Sequence, residues 1–273
     1  MVGNISILSI VSIAISAVLS VLVPIAAVIV LGVKKRMNWK ALGLGVLLFI
    51  AFVLILESLL HQAVLGSDPD ASAIYGNKWL YMIYAGFAAG IFEETARLLG
   101  FKFILKVPEN ESIDTGLSYG LGHGGFESLF IGGASAIGNL AMSFMHNSGA
   151  LGGVKAALSG AELDALNKSI GLLVSTPPYE FLVPGFERMV ALVLQVSLSL
   201  FVLKAVSQRK WQYFLLAILI HAGVDMIAVL YVRGVLTNVF LVEGILAVIA
   251  VVFAVVAFRT YHGRVKTQPE NIQ

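Results

Sequence analysis

Apolar runs long enough to cross a bilayer succeed one another along this chain, each closed by a short polar or basic stretch. A spanning helix needs about 20 such residues. The first run, Ile5 to Val33, is followed by Lys34, Lys35, Arg36 and Lys40. It is longer than a signal-peptide core and leads into no small-residue cleavage pattern, so it reads as a retained span. The second extends from Ala41 to about Val64, and the third from about Trp79 to Lys102. The fourth, Thr115 to about Gly138, is rich in glycine. After Pro177-Pro178 and Pro184-Gly185 come a fifth from Phe186 to about Val206, a sixth from Trp211 to Val232 and a seventh from Leu236 to Phe258. The pattern predicts an all-α polytopic membrane protein with about seven transmembrane helices, eight at most. Residues 1–273 are expected to form one transmembrane domain. Within it, 139–185 form an extracytoplasmic loop whose part from Gly153 to Val174 is helical but too polar for a lipid-exposed span, hence an interfacial helix. Residues 259–273 form a cytoplasmic tail.

Composition agrees with this picture: of 273 residues, 58% are hydrophobic and 12% charged, far from soluble averages. A net charge of +2 is too small to argue for a nucleic-acid partner. The absence of cysteine excludes disulfides, thiolate catalysis and Cys-type zinc sites. What charge does set is orientation. Lys34, Lys35, Arg36, Lys40, Lys102, Lys106, Lys204, Arg209, Lys210, Arg259, Arg264 and Lys266 fall on one side of seven alternating spans, 12 of the 18 basic residues. The positive-inside rule makes that side cytoplasmic and puts the N-terminus outside.

The third span carries Glu93, Glu94 and Arg97. Each ionised group at the bilayer centre costs roughly 2.5–3.5 kcal/mol, so these must face protein and be paired. Arg97 lies within one helical turn of both glutamates. His123 and Glu127 share the four-residue spacing on the fourth span, and His221 and Asp225 share it on the sixth. Counted at 1.5 Å per residue, Glu93, His123 and His221 all lie roughly 12–15 Å from the cytoplasmic ends of their spans. A common polar site at that depth is expected. A single such pair could merely neutralise itself or join two helices; three at one level favour a site. Gly120, Gly122, Gly124 and Gly125 around His123 allow close backbone approach or a locally opened helix.

Chemically the set offers carboxylate bases, imidazoles that donate protons or bind metal, and an arginine that keeps one carboxylate ionised. Water attack on a carbonyl fits it, and no convincing nucleophile is present, because Ser128 lacks a glycine elbow. No cofactor is strictly required; a metal-dependent form would use zinc on His123, His221, Glu127 and Asp225 with a glutamate of the first pair.

In this order on separate spans, Glu93-Glu94-x-x-Arg97, His123 with Glu127, and His221-x-x-x-Asp225 resemble the glutamic-type intramembrane proteases of the CAAX-protease and bacteriocin-processing superfamily. Within it the YhfC-type branch of bacterial membrane proteins is the nearest likeness, and the histidine–aspartate pair is similar to PrsW-type proteases. The resemblance implies an intramembrane endopeptidase in a bacterial or archaeal plasma membrane, acting on a membrane-associated peptide or protein. It implies Glu93 as the base that activates water, Glu94 as the partner of Arg97, His123 as its assistant, and His221 with Asp225 as the third element. Three positions depart from the CAAX-type pattern: Arg97 is one residue nearer the glutamates, Tyr119 stands where Phe is usual, and Asp225 replaces an Asn. An ionised Asp225 would repel an oxyanion, so it orients His221, is protonated, or binds metal.

Glu57, His61, Glu187, Arg188 and Glu243 fall near the external ends of their spans and read as a brace or substrate-entry rim, with Arg188 pairing one of the acids. Gln195, near the middle of the fifth span, either enters the site or bonds a neighbouring helix. The rival to a peptidase is a proton- or ion-coupled transporter built from the same buried acids and histidines.

Overall fold

Helix boundaries follow from where the backbone finds caps and where apolar runs stop. The structure, a computed structural model, describes residues 3–262, and among these it is helical throughout with no strand. The helices are α1 (Ile7–Val33), α2 (Trp39–Phe49), α3 (Ser58–Leu65), α4 (Ala73–Gly76), α5 (Lys78–Leu99) and α6 (Ile113–Glu127). They continue as α7 (Ala134–Asn147), α8 (Leu151–Ala157), α9 (Gly160–Ser175), α10 (Val183–Ser207), α11 (Trp211–Val232) and α12 (Val239–His262). Wider π-helical turns join α2 to α3 at Ile50–Glu57, extend α5 at Gly100–Ile104 and join α6 to α7 at Ser128–Gly133.

Six helical stretches are long and apolar enough to cross a membrane among the described residues: Ile7–Val33, Trp39–Leu65, Ile113–Asn147, Pro178–Ser207, Trp211–Val232 and Val239–Tyr261. The stretch expected as the third span forms α5, a helix of 22 residues, but it is not among the six: Glu93, Glu94 and Arg97 make it less apolar. The fourth helical run continues to Asn147, past the expected end at Gly138. The single helix expected over Gly153–Val174 is two, α8 and α9, broken where Leu158 turns extended. Of the expected cytoplasmic tail, Arg259 ends within α12, while Arg264 and Lys266 lie outside the described residues.

The chain divides into two compact units. The first comprises the chain up to Ala26 together with Glu127–Met189. Its apolar core gathers Ile5, Ile13, Ala17, Ala136 and Leu173. The serine face of α1 is bonded within this unit: Ser16 Oγ donates to the Phe181 carbonyl and accepts from the Gly185 amide, and Ser128 Oγ donates to the Ser20 carbonyl.

The second unit, Ala27–Phe126 with the chain from Val190 onward, holds the larger core around Phe101, Tyr119, Leu198, Phe201 and Leu203. Asn38 caps α2 through the Ala41 amide and also bonds Ser118 and Thr115 of α6. Asn77 caps α5 by accepting from the Trp79 and Leu80 amides, which fixes where that helix starts. Glycines then let backbones meet. A Cβ on Gly90 would lie 2.9 Å from the Ile218 carbonyl oxygen of α11, and one on Gly120 would lie 2.6 Å from Val196 Cα of α10. On the other side of α6, a Cβ on Gly122 would overlap the Leu42 carbonyl of α2. Polar side chains on α5, α6, α10 and α11 are thereby brought within bonding distance.

Candidate active site

The centre of the second unit is a closed hydrogen-bonded cluster. Glu93, Glu94 and Arg97 are buried on α5, with Arg97 and Glu94 wholly sequestered. A buried charge is tolerated only when paired and fully bonded, and Arg97 meets that condition. Its Nη1 donates to Glu94 Oε1 at 2.6 Å, its Nη2 to Glu93 Oε2 at 3.5 Å and to Gln195 Oε1, and its Nε to Ser199 Oγ at 3.2 Å.

The two glutamates are thereby set in different surroundings. Glu94 Oε1 also accepts from His221 Nδ1 at 2.7 Å. Glu93 Oε2 accepts from His123 Nε2 at 2.8 Å and from Gln195 Nε2 at 3.1 Å, while His221 Nε2 stands 3.7 Å away. Asp225 Oδ2 is 3.5 Å from that same His221 Nε2. Both imidazole Nε2 atoms therefore face one carboxylate oxygen. Phe49 meets the His123 ring edge-on at 5.0 Å and Tyr119 flanks it at 6.2 Å, so the ring is held by aromatic walls.

Sequence reasoning placed Glu93, Glu94, Arg97, His123, Glu127, His221 and Asp225 together, and the structure joins six of the seven by contacts inside the second unit. Glu127, the last residue of α6, is counted with the first unit. His123 takes Glu93 across the helices, whereas Glu127 accepts from Arg188 Nη1 at 2.9 Å within the first unit. Arg188 also donates to Glu187 at 2.5 Å, so of the expected acid partners Glu187 is found and Glu127 is added. Gln195 enters the site. Ser199 was missed, although Gln195-x-x-x-Ser199 places two polar residues one turn apart on an apolar helix. Of the external set, Glu57 lies 3.4 Å from His61 Nε2, His61 Nδ1 bonds the Tyr84 hydroxyl at 2.8 Å, and Glu243 is buried on α12.

A family model described as YhfC intramembrane metalloprotease matches residues 19–246, a range containing every member of this cluster. The chain belongs to the YhfC intramembrane metalloprotease family. It is 35% identical over 242 residues to the uncharacterized membrane protein YhfC of Bacillus subtilis (strain 168), covering 89% of this chain and 92% of that one. No solved structure matches. With its apolar helices and this membrane-protein relative, the YhfC-family chain is a multi-pass membrane protein.

The family name raises the question of a metal, and among the described residues a buried group of two glutamates and a histidine, which includes Glu93 and His123, could hold one. His221 Nδ1 is tied to Glu94, which leaves Nε2 turned toward Glu93 and Asp225. A carboxylate behind the imidazole of a metal ligand is the usual outer-shell support. Two imidazole nitrogens and carboxylate oxygens make a hard-to-borderline donor set of the kind that binds zinc. In this YhfC-family chain, Glu93, His123, His221 and Asp225 supply the imidazole and carboxylate groups that meet in the second unit's cluster.

Proposed function

We propose that this protein is a metal-dependent intramembrane peptidase that hydrolyses a peptide bond of a membrane-associated protein or peptide, with Glu93 as general base. The observation that carries the reading is the convergence of His123 Nε2 and His221 Nε2 on Glu93 Oε2 inside a buried cluster. The family's name supports the metal-dependent form over the metal-free glutamic form expected at first.

His123, His221 and Asp225 would hold the ion, and Glu94 would hold His221 in the tautomer that exposes Nε2. An ion there would polarise the scissile carbonyl and make water a better acid. Glu93 accepts a proton from the attacking water and then gives it to the departing amine nitrogen, as a base of this kind does in peptide hydrolysis. Arg97, bonded to both glutamates, holds the Glu94 carboxylate in place and, together with Gln195, fixes the carboxyl of Glu93. Burial suits this work, since each charge acts more strongly away from water.

The test is comparative peptide profiling of membranes from cells carrying the wild-type protein or Glu93→Gln, followed by cleavage of the differing peptides by purified protein in liposomes. Loss of cleavage of about 100-fold or more in Glu93→Gln, with an unchanged fold, is expected for a removed general base. Unaltered cleavage would refute Glu93 as base. Ion-driven uptake into those liposomes, with no cleavage, would favour a transporter.

A further inference from the structure

The sharp turns of this chain divide by residue type. Among the described residues, the non-glycine positions with φ in the left-handed region are Lys35 (55°), Lys106 (50°) and Arg209 (54°), all cationic. The other left-handed turns use glycine, at Gly66, Gly149, Gly160 and Gly234. A residue with a Cβ is sterically disfavoured there, and glycine is the ordinary choice just after a helix. The three cationic turns fall in the connections that the count of basic residues places on the cytoplasmic side, and the four glycine turns fall in those on the other side. Strain is thus accepted where a positive side chain is gained.

Arg209 opens onto a cavity of about 450 Å³ in the second unit. Its lining combines Lys102 and Arg209 with the apolar Leu98, Val107 and Val206 and the indole of Trp211. The ammonium of Lys102 sits 5.3 Å from the Trp211 ring. No carboxylate pairs with Lys102 or Arg209 among the described residues. The 22-residue helix α11 begins at Trp211, a lining residue of the cavity, so the positive end of its dipole lies beside it. Beside it, Phe103, Ile104, Trp211 and Leu215 are exposed apolar side chains, which suit acyl chains.

We propose that this cavity binds the phosphate of an anionic phospholipid headgroup on the cytoplasmic leaflet. Two unpaired cations and a helix start supply complementary charge, an indole of this kind suits the headgroup level, and the exposed apolar residues suit the tails. The site is separate from the buried cluster and does not depend on its chemistry.

The experiment is native mass spectrometry of the full-length protein in detergent, titrated with phosphatidylglycerol or phosphatidylcholine, for wild type, Arg209→Gly and Lys102→Gln/Arg209→Gly. Arg209→Gly relieves the left-handed strain while removing the cation, so thermal stability in neutral detergent is expected to hold or rise as phosphatidylglycerol retention falls. Apparent affinity for phosphatidylglycerol is expected to drop about fivefold for each cation removed, with phosphatidylcholine unaffected. Equal binding of the two lipids by wild type, or undiminished phosphatidylglycerol retention by the double variant, would overturn the proposal. Displacement of the lipid by millimolar inorganic phosphate would reassign the cavity to a soluble anion and equally overturn it.

Discussion

At the scale of single residues, Arg97 decides the arrangement of the cluster. It reaches Glu93, Glu94, Gln195 and Ser199 without exposure to solvent. Replacing it by Met leaves two buried carboxylates without their cation, a change expected to cost about 3–5 kcal/mol in stability. Thermal unfolding in detergent measures this. Ser199→Ala removes one acceptor at the edge of the same guanidinium, so a loss of only about 1–2 kcal/mol is expected. Much of this was legible, because a charge inside an apolar run has to be explained. The pairing was less so. The spacing of His123 and Glu127 is that of a helical pair, and it does not reveal the partner that each also takes from another helix. Glu93 takes His123 at 2.8 Å, and Arg188 takes Glu127 at 2.9 Å.

Among the helices, glycine performs the positioning. The sequence left open whether the glycines beside His123 open α6 or let it approach its neighbours. Alpha-helix persists through to Glu127, and Gly120, Gly122 and Gly124 each face another helix at close range. Close approach is their role. Gly122→Ala would drive a methyl into the Leu42 carbonyl of α2, so destabilisation of about 1–3 kcal/mol is expected, together with lost cleavage as His123 shifts. Gly43 on α2 has nothing within 4 Å of a built Cβ. Gly43→Ala is therefore expected to stabilise by about 0.5–1 kcal/mol and leave cleavage intact. Paired unfolding and cleavage measurements on the two variants separate packing from composition. Span limits were legible where polarity changes abruptly, as for α11, which runs over the expected Trp211–Val232. They were not legible for the run ending at Asn147, because a helix continues as long as its backbone bonds do. Ser143 returns its hydroxyl to the Asn139 carbonyl, so this polar residue does not interrupt the helix, which runs on to Asn147, bonded to Ile5.

At the scale of the whole molecule, a membrane orientation and a buried polar cluster stand side by side. The orientation is a proposal from the asymmetry of Lys and Arg. Because the chain has no cysteine, single reporters test it cleanly: Lys210→Cys is expected to react with a membrane-impermeant maleimide only from the cytoplasmic face, and Asp70→Cys only from the outside. The opposite labelling would reverse the topology. The centre itself is best tested by metal content. Purified wild-type protein, prepared without chelator, is expected to carry about one divalent ion per chain by elemental mass spectrometry, as a single site with these donors would. The His123→Ala/His221→Ala variant is expected to carry almost none while keeping its helical content. Full metal occupancy in that variant, or a cleaving wild-type protein with no metal bound, would contradict the assignment of Glu93, His123, His221 and Asp225 as a metal-dependent peptidase centre.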